Sequence, residues 1–270
     1  MPDPINDEWM NATVKIVNQD GKTGTGFLIN NGSKKFLITN KHVLHKEQTG
    51  RESATMVDLH LNVFENGNIV GKQIQFPLQN GSTKLWNEHP DPDVDVLVID
   101  VTTICGSITN LATRPMISSL ICTKTQLQRF NIINGRKVIV LGYPLTIMQA
   151  GNNRPLRISG AIASDIGNPV SYPRFNSVTS REEQKIIRGF VIESNARSGS
   201  SGSPVILEPM VNFFGGEQDT IGKPLPPLLL GIISEERLAV IQAVTGDELA
   251  SSHLIVVYDA ETILDVINLF

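Results

Sequence analysis

Three short stretches hold side chains whose types and spacing could perform nucleophilic chemistry. RSGSSGSPVI, Arg197–Ile206, sets Ser198, Ser200, Ser201 and Ser203 among glycines. FLITNKHVLHK places His42 just past an apolar run, and DPDVDVLVIDV offers Asp91, Asp93, Asp95 and Asp100. A serine hydroxyl is a poor nucleophile until a base removes its proton and donors receive the oxyanion it creates. A Gly-x-Ser-Gly arrangement lets the backbone bend so that successive N–H groups point at one place, because Gly tolerates the φ/ψ this needs. Pro204 then fixes the exit into the next apolar run. By composition alone the same SGSSGS would be a flexible linker or a plain turn.

His42 stands where a general base needs to stand, anchored at the end of a strand. His42 and His45 also form an H-x-x-H pair, but zinc needs three or four ligands and no cysteine or second pair lies near. Among the acids, Asp95 opens the run V-L-V-I, which would carry it inward beside a histidine. Asp100 lies beyond that run, and Asp91 and Asp93 belong to the loop before it. The D-x-D-x-D spacing is not a calcium loop, since Val96 replaces the required Gly and Thr102 the required Glu. The three stretches arrive in the order His, Asp, Ser, about fifty and about a hundred residues apart, which matches one known order of the hydrolytic triad.

The elements that must position them read as short β-rich runs. Strands are expected near 12–18, 23–30, 34–39, 54–64 and 94–101, then near 136–143, 156–164, 188–194, 203–207, 227–234 and 253–259. Turn residues at regular spacing between them indicate an all-β sandwich or barrel. A short turn follows Thr39, TKTQLQRF (123–130) is weakly helical, and AETILDVINLF (260–270) is an amphipathic terminal helix with Asp259 as its cap. The strands fall into two groups divided around 102–135. Two stretches rich in Pro, Gly and polar residues, 165–185 and 209–227, read as surface loops.

In a chain of 270 residues, 40% hydrophobic content describes an ordinary globular protein with ample core. A net charge of -4 gives no field for nucleic acid or anionic lipid. No apolar run approaches the roughly 20 residues of a membrane span. The N-terminus lacks a basic start and an apolar h-region, so cytoplasmic residence is expected, with Cys105 and Cys122 as reduced thiols.

The quoted motifs resemble those of trypsin/chymotrypsin-like serine peptidases, in the style of the disulfide-poor bacterial branch that includes the high-temperature-requirement proteases. GTGFLI (24–29) is similar to that family's G-S-G-F strand, and LITNKHV to its L-T-x-x-H-V. DVLVIDV resembles D-[IL]-A-[VL]-[LI]-x-[IV], LGYP (141–144) resembles G-x-P, and GAIAS (160–164) resembles G-x-[VI]-S. GSSGSP is similar to G-[NDS]-S-G-[GS]-P, and LLGIIS (229–234) to the strand lining the substrate channel. The resemblance implies an all-β, chymotrypsin-like double β-barrel with a C-terminal α-helix. It divides the single domain into an N-terminal barrel at about 10–115, a connector and C-terminal barrel at about 116–258, and the helix at about 259–270. It implies His42 as general base, Asp95 as its orienter and Ser201 as nucleophile, with the N–H groups of Gly199 and Ser201 as the oxyanion hole. Asn195 falls at the floor of the primary pocket and Ser234 on its wall.

The implied activity is cleavage of polypeptide substrates through an acyl-enzyme, with no metal and no other cofactor, so chelators should leave it intact. A catalytically silent peptide-binding module of the same fold is the alternative. A small-ester hydrolase would instead be expected to carry G-x-S-x-G, which this sequence lacks. Ser200 stands where the family's activation mechanism uses Asp, and no I-V-G-G cleavage sequence occurs, so no zymogen switch is expected. No PDZ module is expected. An enzyme of this kind inside the cell needs restraint, which narrow specificity or a regulatory protein partner would supply. Lys41, beside His42, is expected to point outward, and Glu235 and Glu236 replace the usual residues at the pocket rim.

Overall fold

The structure is a computed structural model that describes residues 8–44, 54–176, 181–211, 216–243 and 246–270. The first unit is an eight-stranded sheet. Its strands are β1 (Thr13–Asn18), β2 (Thr23–Asn31), β3 (Lys34–Thr39), β4 (Met56–Glu65) and β5 (Asn68–Pro77), with β8 (Trp86–Glu88) and β9 (Leu97–Asp100). Between them β6 (Gln79–Asn80) and β7 (Thr83–Lys84) form a minimal hairpin, and β10 (Met116–Ile117) adds in parallel to β2. The path runs β5-β4-β1-β2-β3-β9-β8.

The second unit is a closed six-stranded barrel. Its strands are β11 (Lys137–Gly142), β12 (Leu156–Ile162), β15 (Gly189–Ser194), β16 (Pro204–Leu207), β17 (Leu229–Ala243) and β18 (Gly246–Asp259). A separate hairpin, β13 (Val170–Asn176) and β14 (Arg181–Ile187), stands off it. Among the described residues there are five short α-helices: α1 (Met10–Ala12), α2 (Lys41–Leu44), α3 (Thr102–Ser107), α4 (Lys124–Arg129) and α5 (Glu261–Ile267). Among the described residues no helix is long and apolar enough to cross a membrane. The architecture is the chymotrypsin-like double β-barrel with a terminal helix.

Three apolar clusters explain why the key strands are apolar without alternation. One fills the first unit (Leu28, Leu37, Leu97, Ile99), and one fills the second barrel (Val138, Val140, Ile192, Val205). The third lies between the units and takes the opposite faces of the same strands, Phe27, Ile38, Val98, Ile139 and Ile206. Successive side chains of a strand point to opposite faces, and here both faces are buried. Ile263, Val266 and Ile267 of α5 join this shared cluster, so the helix packs against both units.

Several expectations are corrected. β5, β8 and β10 extend the first unit from the five strands expected to eight. The stretch 165–185 is largely the β13–β14 hairpin rather than a loop, whereas 209–211 and 216–227 are irregular apart from one turn of 3-10 helix. Asp259 does not cap α5 with its side chain. Ala260 occupies the cap position, and the Thr262 hydroxyl donates to the Asp259 carbonyl.

The Asp259 carboxylate instead has Oδ1 buried without a hydrogen-bond partner among the described residues. Burial pushes its pKa up to about 6; Arg188 and Lys124 oppose this and Glu261 adds to it. The folded protein therefore holds this proton more tightly than the unfolded chain does. Stability from it is fully present below about pH 4 and is lost as pH rises towards 6. Asp259→Asn should raise the melting midpoint at pH 7, with the difference from wild type closing below about pH 4.

Candidate active site

The nucleophile loop is seated on β2 through Thr25. The Thr25 N–H donates to the Ser201 carbonyl (2.8 Å) and its hydroxyl to the Gly199 carbonyl (2.9 Å). The Thr25 carbonyl in turn accepts from Thr39 Oγ1 at 2.8 Å. Gly202 takes φ +85°, and a Cβ there would lie 2.0 Å from the Thr25 carbonyl oxygen. Gly199 takes φ +94°, with the Tyr143 carbonyl 2.5 Å from where a Cβ would sit. Only glycine fits either place, so the two glycines are structural requirements and not slack chain. The N–H groups of Ser200, Gly202 and Ser203 are all bonded within the protein. Those of Gly199 and Ser201 donate to no acceptor among the described residues.

Three consecutive residues after β3 reach the loop that precedes β9. Asn40 Nδ2 donates to the Asp95 carbonyl at 2.6 Å. Lys41 Nζ donates to the carbonyls of His89 and Asp91, each at 3.0 Å. His42 Nδ1 lies 2.5 Å from Asp95 Oδ2, and the His42 N–H donates to Oδ1 at 3.2 Å. The Ser234 hydroxyl completes the carboxylate's shell, donating to Oδ2 at 3.0 Å. Burial alone would push the Asp95 carboxyl up, but the charge and hydrogen bonds of His42 and the Ser234 hydroxyl outweigh it and hold it below the ordinary range.

The structure thus brings together His42, Asp95, Ser201 and Ser234. Ser234, expected on a pocket wall, puts its hydroxyl on Asp95 and its carbonyl on the Ser201 hydroxyl, which donates to it at 3.1 Å. Ser201 makes no hydrogen bond to His42 in this arrangement. Ser200 and Ser203 are buried with hydroxyls lacking a partner among the described residues, whereas Ser201 is partly exposed. Asn195 stays apart, exposed one residue beyond β15 and bonded to none of the four.

Asp93 and Asp91 are exposed, and Asp100 accepts from the Thr102 N–H. Asp93→Asn should therefore change the rate by less than about threefold, since an exposed carboxylate without a bond to the imidazole contributes little. A large loss in kcat would move the acid's role from Asp95 to Asp93.

Lys41 does not point outward. It is only 9% exposed, because α2 turns its side chain into the loop around Asp91. His45 lies outside the described residues, as does the side chain of Glu236. Glu235 is half-buried and accepts from the Tyr172 hydroxyl of the β13–β14 hairpin at 2.7 Å. Sequence reading missed Thr25, Asn40 and Tyr258, whose hydroxyl holds the Asp93 carbonyl at 2.5 Å, and it turned Lys41 the wrong way. The adjacency of Thr25 to Gly24 and Gly26, and of Asn40 to the Lys41–His42 pair, could have drawn attention to the first two, whereas nothing local marks Tyr258.

With this geometry in place, the family model for the trypsin-like peptidase domain matches residues 24–209. The chain belongs to the trypsin-like peptidase family. As a member it is a serine-type endopeptidase, and the matched span contains His42, Asp95 and Ser201. No curated protein matches the sequence significantly. Among solved structures, the inactive form of the Rv3671c protease is similar at 16% identity and a TM-score of 0.50, over 98% of this chain and 92% of that one. The active form of the same protease, from M. tuberculosis, gives 16% identity and 0.49 over 99% and 86%. The HtrA-type protease AlgW bound to a tripeptide gives 15% identity and 0.47 over 98% and 62%. At these identities the likeness concerns the fold.

Proposed function

We propose that this peptidase cleaves polypeptides with His42, Asp95 and Ser201 as a catalytic triad. The observation that carries the reading is the 2.5 Å contact of His42 Nδ1 with a carboxylate held ionised, which leaves Nε2 as the ring's basic nitrogen. Attack requires the Ser201 hydroxyl to leave the Ser234 carbonyl and give its proton to Nε2 as Oγ bonds the substrate carbonyl carbon. The N–H groups of Gly199 and Ser201 then donate to the oxyanion, and their lack of an acceptor among the described residues suits that role. His42 returns the proton to the departing amine, leaving an acyl-enzyme that water hydrolyses by the same steps.

Asn195 is assigned to the floor of the pocket for the residue before the scissile bond, where a neutral amide disfavours a strict preference for Arg or Lys. We place the enzyme inside the cell, a reading supported by the buried, unpaired thiols of Cys105 and Cys122. Restraint there comes from narrow specificity or from a regulatory partner. A second reading, a silent peptide-binding module, draws support from the Ser201 hydroxyl resting on Ser234 rather than on His42.

Cleavage-site profiling on a proteome-derived peptide library, with Ser201→Ala as the blank, tests the proposal. Peptides cut by wild type alone are expected, and their aligned ends give the preference. No cut peptide with either protein would favour the silent module.

A further inference from the structure

Lys41 is a costly residue to keep where it stands. Its ammonium is withdrawn from water, and burial lowers its pKa against the opposing charges of Glu88, Asp95, Asp91 and Asp93. A buried charge is retained only if it is bonded, and both of its bonds go to main-chain carbonyls of one segment, His89 and Asp91. That segment runs from the end of β8 to Asp95 through bends and turns without regular pairing. It must nevertheless present Asp95 to His42 at a fixed distance.

The other groups facing the segment hold it from elsewhere. The Tyr258 hydroxyl donates to the Asp93 carbonyl while accepting from Lys185 Nζ (3.0 Å). His89 Nδ1 accepts from the Asp91 N–H, and its Nε2 faces Asp265, which Arg188 also contacts at 2.7 Å. The ties from the turn that carries the base are those of Asn40 and Lys41 to main-chain carbonyls, beside the two bonds that His42 itself makes to the Asp95 carboxylate.

We propose that Lys41 is a positioning residue of the triad, its ammonium tying the Asp95 segment to the His42 turn. The inference rests on the triad reading above. Asn40 fixes the far end of the segment at the Asp95 carbonyl and Lys41 fixes its middle. Asp95 therefore moves with the His42 turn and not independently of it. A misplacement of the acid by a fraction of an ångström would change the rate more than substrate binding, because Lys41 is buried with its ammonium on two main-chain carbonyls.

The test compares K41M, K41Q and K41R with wild type in the full-length chain. One readout is kcat and KM on a fluorogenic peptide; the other is the downfield proton signal of the His42 N–H bonded to Asp95. Met matches the length of the stem but cannot donate, whereas Arg can bond both carbonyls. K41M and K41Q should lower kcat by about 10- to 100-fold with KM changed less than about twofold. Their downfield signal should broaden or disappear, and K41R should recover most of both. A packing role predicts the reverse ranking, with Met closest to wild type and Arg worst, and that ranking would overturn the proposal. So would neutral variants that fail to fold while K41R stays folded, since Lys41 would then serve stability alone. If wild type shows no Ser201-dependent hydrolysis, the peptidase reading fails, but the imidazole signal still judges Lys41.

Discussion

Replacing Ser201 by alanine is expected to lower kcat/KM by about 10⁶-fold and to abolish labelling by a fluorophosphonate probe. The four serines of the loop are not equivalent in space. Ser200 and Ser203 are buried with unpartnered hydroxyls, and Ser198 is exposed with no bond to the site. Only Ser201 is joined to the carboxylate and imidazole, through a carbonyl whose own residue donates to Asp95. The substitution removes one hydrogen bond, worth about 1 kcal/mol to folding. The melting midpoint should therefore move little, and the lost rate reports chemistry. Labelling of wild type and variant alike would remove Ser201 from its role.

Asp95→Asn is the second large effect, a fall of about 10⁴ in kcat with KM nearly constant. The wild-type carboxylate accepts from His42 Nδ1, from the His42 N–H and from the Ser234 hydroxyl. An amide has one oxygen to offer these three donors. If its NH₂ faces the ring, Nδ1 must become the acceptor, and the proton then sits on Nε2, where the serine needs a base. The sign of the pH effect follows from the depressed pKa of Asp95. Its ionised form contributes stability that is present above about pH 4, the range of a free carboxyl, and is lost as pH falls through the lower folded value. The Asn variant should lack that acid-side loss in a thermal melt measured against pH. A variant with wild-type kcat would mean that another group orients His42.

Much of this was readable in the sequence because its signals are local. The strand pattern, the glycines around Ser201, and the His, Asp, Ser order each arise from neighbouring residues. What was missed is of two kinds. β5 and the β13–β14 hairpin carry polar runs, Lys72–Gln73 in the one and Arg181–Lys185 in the other, which break the apolar pattern that announces the other strands. β5 did carry a turn signal, Asn66–Gly67, both with positive φ in the structure, which favours a two-residue hairpin. Lys41 is of the second kind. A lysine beside a histidine reads as a surface charge, and its burial depends on two carbonyls roughly fifty residues away.

SGSSGS shows the division most clearly. Its composition permitted flexibility, and its glycine spacing and flanking runs favoured a shaped loop around Ser201. The sequence by itself determined which residues could react and the order in which they occur, because both are properties of the chain. Tertiary structure decided which carboxylate and which hydroxyl meet the imidazole, since those distances are set by β2, β9 and β17 packing around one shared core. It also decided why the glycines stand where they do. Gly202 is there because the Thr25 carbonyl lies where any side chain would have to go.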